Sequence, residues 1–253
     1  EVNPANYDVT AIIKHVGAQK RFPIIIFDKP LNLNGKVGPI KLTMNCEISQ
    51  GKTQIALGMP RTATRPQMAE KCLEMEEHRV PPTIISKKEA PVKENTMTGK
   101  DVDLYQIPIM RHHEMDGGPY IVLSTITKDR KSGIYNLSYH RMEVKSKNST
   151  ALYASPRHLW KIFKDYEENN LEMPVATVLG HHPAFHMGAC YSGPFEVSEY
   201  DVIGGYLGEP LRLVASETFG DDLLIPADAE IVIEGVLKPG GRVVEGPFGE
   251  APG

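Results

Sequence analysis

Two runs of strand-forming residues, YIVLSTITKD (120–129) and GIYNLSYHRMEV (133–144), are parted only by Arg130, Lys131 and Ser132. Runs rich in β-branched and aromatic residues, joined by so short a polar link, leave the chain little choice but an antiparallel hairpin. The small basic cluster at 130–131 then belongs to a turn. A third strand-like run, TALYAS (150–155), leads into PRHLWKIFKDYEENN, which reads as a helix with Pro156 in its first turn and Trp160 and Phe163 on its buried side. MPVATVLG (173–180), PLRLVASET and AEIVIEGVLKP are further strands, and SEYDVIGGYLG (198–208) is a short helix capped by Ser198. The second half is therefore strand-rich, with two or three inserted helices.

The first half has a different pattern. Val9, Ile12, Ile13 and Val16 recur at helical spacing, FPIIIFD (22–28) reads as a short buried strand, and RPQMAEKCLEMEEHRV (65–80) as a helix with Met68, Cys72, Leu73 and Met75 on its apolar face. The Pro- and Lys-rich stretch at 81–99 reads as a boundary. The expectation is an α/β (α+β) protein, with an amino-terminal α/β region at 1–103 and a second domain at 104–253. Of the 253 residues 41% are hydrophobic and 24% charged, enough apolar material for a packed core. A net charge of -4 offers no polycation for nucleic acid, and no apolar run of about 18 residues predicts a membrane span. Cys46, Cys72 and Cys190 form no CxxC, and no signal peptide is visible, so a cytoplasmic protein is expected. With no initiator Met, and a motif-like loop at its last residues, the chain reads as cut at both ends.

Chemistry-bearing residues gather in the second half. The stretch EGPFGEAPG (245–253) sets Glu245 and Glu250 around Gly246, Pro247 and Gly249, which exclude a regular helix. In a straight strand residues five apart point to opposite faces, so only a bend at 247–249 aims both acids at one place. The stretch is either a polar surface turn or a presented carboxylate pair. No GxGxxG between strand and helix, GxxxxGK[ST] or GxSxG is present. The phosphate of any bound cofactor would thus be met by a metal, by Arg141 or Arg157, or by the amino end of the helix near Pro156. Asn136, His158 and Glu199 are a plausible oxygen and nitrogen set for Mn²⁺ or Mg²⁺, although their spacing matches no short ligand motif. HHPAFH places His182 and His186 at the i, i+4 spacing of zinc ligands but lacks the glutamate of HExxH, so its histidines read as structural or substrate-lining.

DGGPYIV (116–122), NLSYHR (136–141), RHLW (157–160), SEYDVIGGYLGEPLRLV (198–214), PADAEIVIEG (226–235) and EGPFGE (245–250) occur in this order, and together the chain resembles the UbiD family of prenylated-FMN-dependent decarboxylases. The resemblance implies that Asn136, His158 and Glu199 ligate a Mn²⁺ that holds the phosphate of prenylated FMN, with K⁺ close by. It implies that Asn136, Leu137, Ser138, Tyr139, His140 and Arg141, with Arg157, line the cofactor, and that Arg141, Glu245 and Glu250 form an acid and base network in which Glu250 gives the proton that replaces CO₂. Decarboxylation leaves electron density on carbon that side chains cannot receive, and the modified flavin is the sink. The resemblance further implies a split β-barrel of the flavin-reductase/FMN-binding type from 104, reversible non-oxidative decarboxylation of an aromatic or α,β-unsaturated carboxylic acid, and a flavin prenyltransferase as cofactor supplier. The resemblance also implies a carboxy-terminal oligomerisation domain outside this chain, and the full-length protein is expected to be a homo-oligomer. The alternative is a non-catalytic flavin-binding or assembly subunit of a multicomponent carboxylase. Loss of the Glu/Arg network would favour it, and Arg141, Glu245 and Glu250 are all present.

Overall fold

The hairpin forms where its sequence places it. A computed structural model describes residues 1–46 and 49–249. In chain order, α1 (Asp8–Ala18), β1 (Ile25–Phe27), β2 (Leu42–Met44), α2 (Gln50–Ala56), α3 (Arg65–Glu77) and β3 (Thr83–Ile84) precede the hairpin strands β4 (Tyr120–Lys128) and β5 (Tyr135–Ser146). Then follow β6 (Ser149–Leu152), α4 (His158–Glu168), β7 (Met173–Leu179), α5 (Pro183–Gly188), α6 (Glu199–Leu207), β8 (Arg212–Ser216), β9 (Gly220–Pro226) and β10 (Ile231–Leu237). The hairpin turn is closed by Asp129, whose carboxylate accepts from the Ser132 backbone N–H at 2.8 Å and hydroxyl at 2.6 Å. Arg130 and Lys131 both pair with Asp165 on α4, which fastens the turn to that helix.

The architecture is mixed α/β. Five antiparallel strands run in the order β10-β7-β4-β5-β6, and a second sheet has the order β3-β8-β9. Helices α5 and α6 fill the space between the two sheets: Phe185, Tyr200 and Ile203 pack with Ile126, Leu137, Val178, Leu223 and Ile225, every one at most 2% exposed. Fully burying a side chain of this size contributes about 1.5–3 kcal/mol, so this contact fixes α6 against β5. Helix α4 closes on β7 through Leu159, Ile162, Phe163, Met173 and Val175. Helix α3 crosses α6 at Gly204 and Gly205, where backbone meets backbone. A Cβ at Gly205 would lie 2.2 Å from the Met75 carbonyl oxygen, and one at Gly204 2.1 Å from that of Val80.

Several expectations need correction. FPIIIFD is not a buried strand: β1 has three residues and pairs with β2 in a two-stranded sheet, leaving Phe22, Ile24 and Ile26 44%, 53% and 59% exposed. Phe27 alone of this run is buried, because the two strands have a core on one side only. Leu73 does not join the apolar face of α3; it is 60% exposed, while Met68, Cys72 and Met75 face the core. Helix α4 starts at His158, two residues after Pro156, because Arg157 is still extended at φ -126, ψ -155. No correction attaches to the boundary expected at 81–99, where β3 runs parallel to β8 and the Val92 N–H donates to the Ala227 carbonyl at 3.0 Å.

Candidate functional site

A cavity of about 860 Å³ opens beside β5, in the range of ordinary ligand sites. Three elements bring the polar residues to it. Asn136 lies near the start of β5, His158 is the first residue of α4, and Glu199 is the first residue of α6. Ser198 caps α6 by accepting the Tyr200 N–H at 3.3 Å, so the carboxylate of Glu199 is held at the amino end of a helix, where negative charge is favoured. Glu199 accepts from the Asn136 side-chain amide at 3.2 Å and from the Leu137 backbone N–H at 2.9 Å. It is 4% exposed, and burial pushes its pKa up to about 7 against those hydrogen bonds. The hydrogen-bond donors to its carboxylate are neutral, so a bound cation would offset the cost of burying the charge. An amide oxygen, an imidazole and a carboxylate facing one cavity fit a hard or borderline divalent ion. Among the described residues no three His, Cys, Asp or Glu side chains converge as a metal site; this set has two of them plus an asparagine.

Further along β5, Arg141 extends its planar fork to Glu245, with Nε to Oε1 at 3.0 Å and the second nitrogen to Oε2 at 2.9 Å. Both side chains are largely buried, and the guanidinium lies over the Tyr153 ring at 4.4 Å and the Phe248 ring at 5.4 Å. A bidentate pair sandwiched by aromatic faces fixes orientation as well as charge. Between these two ends sit Ser138 and His140. The His140 ring is hydrogen-bonded to the Ser138 hydroxyl at 2.9 Å and to the Tyr153 carbonyl at 3.1 Å, and burial lowers its pKa. The cavity thus has a neutral wall running from an acidic, helix-capped end to an ion pair.

The family described as UbiD, 3-octaprenyl-4-hydroxybenzoate carboxy-lyase Rift-related domain, matches residues 83–253. The chain belongs to the UbiD family. A phenolic acid decarboxylase from Sedimentibacter hydroxybenzoicus is 30% identical over all of this chain and 53% of its own length. One from Streptomyces sp. (strain D7) is 32% identical over 84% of this chain and 46% of its own. The UbiD-class enzyme HmfF from Pelotomaculum thermopropionicum, solved in complex with prFMN, superposes with a TM-score of 0.86 at 32% identity, covering 96% of this chain and 54% of that one. The chain therefore spans about half the length of the relatives it matches.

Within this UbiD-family chain, Asn136, Ser138, Tyr139, His140, Arg141, Arg157, His158 and Glu199 all face the cavity. Leu137 differs: its side chain is in the core with Ile126 and Phe185, and its backbone N–H reaches Glu199. Glu245 meets Arg141, and Glu250 lies outside the described residues. The histidines of HHPAFH part company. His182 caps α5 by accepting the Ala184 N–H, His181 stacks on Phe185 at 4.3 Å, and His186 is buried edge-on to the same ring. Sequence reasoning assigned nothing to Tyr153, which covers Arg141, or to Phe248, which lines the cavity from inside the EGPFGE motif. No helix among the described residues is long and apolar enough to cross a membrane.

Proposed function

We propose that this chain carries the cofactor-binding part of a prenylated-FMN-dependent decarboxylase acting reversibly and without net oxidation on an aromatic or α,β-unsaturated carboxylic acid. The observation that carries the reading is that Arg141, forked onto Glu245, lines the same cavity as Asn136, His158 and Glu199. The printed identities of the relatives, phenolic acid decarboxylases among them, support it. Asn136, His158 and Glu199 would hold Mn²⁺, which with K⁺ would supply positive charge for the phosphate of the flavin. When bound, prenylated FMN supplies the electron sink that no side chain offers. The strands from 104 onward serve as a split barrel of the flavin-reductase type.

The chain's own residues supply orientation and a proton. Arg141 aims Glu245, because two parallel N–H···O bonds fix the carboxylate's orientation. Tyr153 and Phe248 lie against the Arg141 guanidinium and hold its plane. Glu250 is the donor, and a carboxyl must carry its proton to act as one.

The test is native mass spectrometry and turnover of the full-length protein co-produced with a flavin prenyltransferase. Bound prenylated flavin and metal, with CO₂ released from a member of a panel of aromatic and α,β-unsaturated acids, is the expected result. Loaded protein that releases no CO₂ and exchanges none into product across that panel would favour the non-catalytic subunit.

A further inference from the structure

Two acids outside the cavity are deeply buried: Asp116 is 1% exposed and Glu143 5%. Each gives one oxygen to the backbone of 246–249. Asp116 Oδ1 accepts the Gly249 N–H at 2.9 Å, while its Oδ2 accepts those of His112 at 3.0 Å and His113 at 2.8 Å. Glu143 Oε2 accepts the Gly246 N–H at 3.1 Å and the Tyr120 hydroxyl at 3.2 Å, and it pairs with Lys145 at 2.7 Å. Between them the Gly117 N–H donates to the Pro247 carbonyl at 2.7 Å. This four-residue stretch is therefore held at three of its residues, Gly246, Pro247 and Gly249.

The DGG of the DGGPYIV motif explains how the approach is made. A Cβ on Gly117 would stand 2.7 Å from the Gly246 carbonyl oxygen and 3.1 Å from Glu143 Oε1, so any side chain there would push the stretch away. Phe248 is seated at the same time against Tyr120, ring centroids 4.5 Å apart, and His112, at 5.6 Å. Glu245 immediately precedes the clamped stretch and Glu250 immediately follows it. Fixing 246–249 therefore fixes where Glu245 leaves the backbone.

We infer that Asp116 and Glu143 are positioning residues, acting through the backbone of 246–249 to hold Glu245 against Arg141. The inference rests on the functional reading above. Neither residue touches the cavity, so their effect belongs to geometry at the acid end and leaves the Asn136, His158 and Glu199 end alone. In the cofactor-loaded full-length protein, Asp116→Asn turns an amide NH₂ on one of its backbone donors, and Glu143→Gln removes the charge from the other tie. Each should lower kcat by about 10- to 100-fold, the scale of a small misplacement, with KM within about threefold and flavin content unchanged. Amide hydrogen exchange should quicken at Gly249 in Asp116→Asn and at Gly246 in Glu143→Gln. Gly117→Ala, which displaces the stretch from its other side, should reproduce the fall in kcat and serves if an acid variant does not fold. Turnover in the parent with kcat of the variants kept within about threefold overturns the inference. So does a fall in kcat that tracks loss of flavin or a global drop in melting temperature. The exchange response without any parent turnover overturns the functional reading instead, because the clamp is then real and the chemistry is not.

Discussion

Arg141 fills a place that a lysine cannot. Its fork meets both oxygens of Glu245 and its flat face lies on Tyr153, whereas an ammonium offers neither the parallel bonds nor the stacking. Losing one charge-assisted hydrogen bond costs about 1.5–3 kcal/mol, so Arg141→Lys should reduce kcat/KM by about 10- to 100-fold in flavin-loaded protein. Steady-state kinetics beside a flavin absorbance measurement checks this, and unchanged kcat/KM would mean that the fork is not used in turnover. Glu250→Gln keeps size and hydrogen bonding but has no carboxylic proton to give. With flavin and metal contents confirmed, turnover should fall by about 10² to 10⁴. Activity within roughly threefold of the parent, below that range, would move the proton to another group or to water.

Asn136 on a strand and His158 and Glu199 at the first residues of two helices line one cavity, so the proposed cofactor-holding end depends on elements far apart in sequence. Asn136→Ala, Glu199→Ala or removal of metal by a chelator should each abolish flavin retention, read by absorbance after desalting. Undiminished flavin in metal-free protein would dismiss the metal. Gly205→Ala should drive α3 from α6, because its Cβ would meet the Met75 and His78 carbonyls at 2.2 and 2.6 Å. Overpacking of this kind costs typically 1–3 kcal/mol, and a thermal melt should fall accordingly. The β4–β5 hairpin and α6 were legible because their signals are local: a short polar link between strand formers, and Ser198 before an apolar turn. Helix α5 escaped notice because its six residues are too few for a period and its histidines suggested ligands. Strand β9 begins with Gly220, Asp221 and Asp222 and ends in Pro226, so its composition speaks for a turn. The exposure of FPIIIFD could not be read from its residues, since burial depends on whether a second layer arrives. Asp116 was legible as part of a motif but not in its task, because its Gly249 partner is 133 positions away.

At the scale of the whole molecule, histidines buried without charge govern its response to acid. Burial pushes His181 and His186 down to about 4 and lowers His112 and His140 as well. Their unfolded pKa is about 6.5, so between there and 4 the unfolded chain takes up protons that the native one refuses, and stability falls as pH falls through that window. Glu199, raised to about 7, works in the opposite sense, its native carboxyl taking up a proton before the unfolded one does. His186→Leu should therefore flatten the acid limb of a urea-derived stability profile by up to about 3 kcal/mol. A parallel profile for the variant would count against the histidine. The sheet order carries a different kind of consequence. Arg141 is on β5 and Glu245 follows β10, 104 positions on, with β4 and β7 lying between the two strands. Bringing such distant residues together from an open chain costs about 4 kcal/mol of closure entropy, yet once those strands are laid side by side only 238–244 remains to be spanned. The acid is thus interlocked with the sheet: slip any one of the four strands and the pair parts, so a half-assembled molecule is chemically silent rather than wrongly armed.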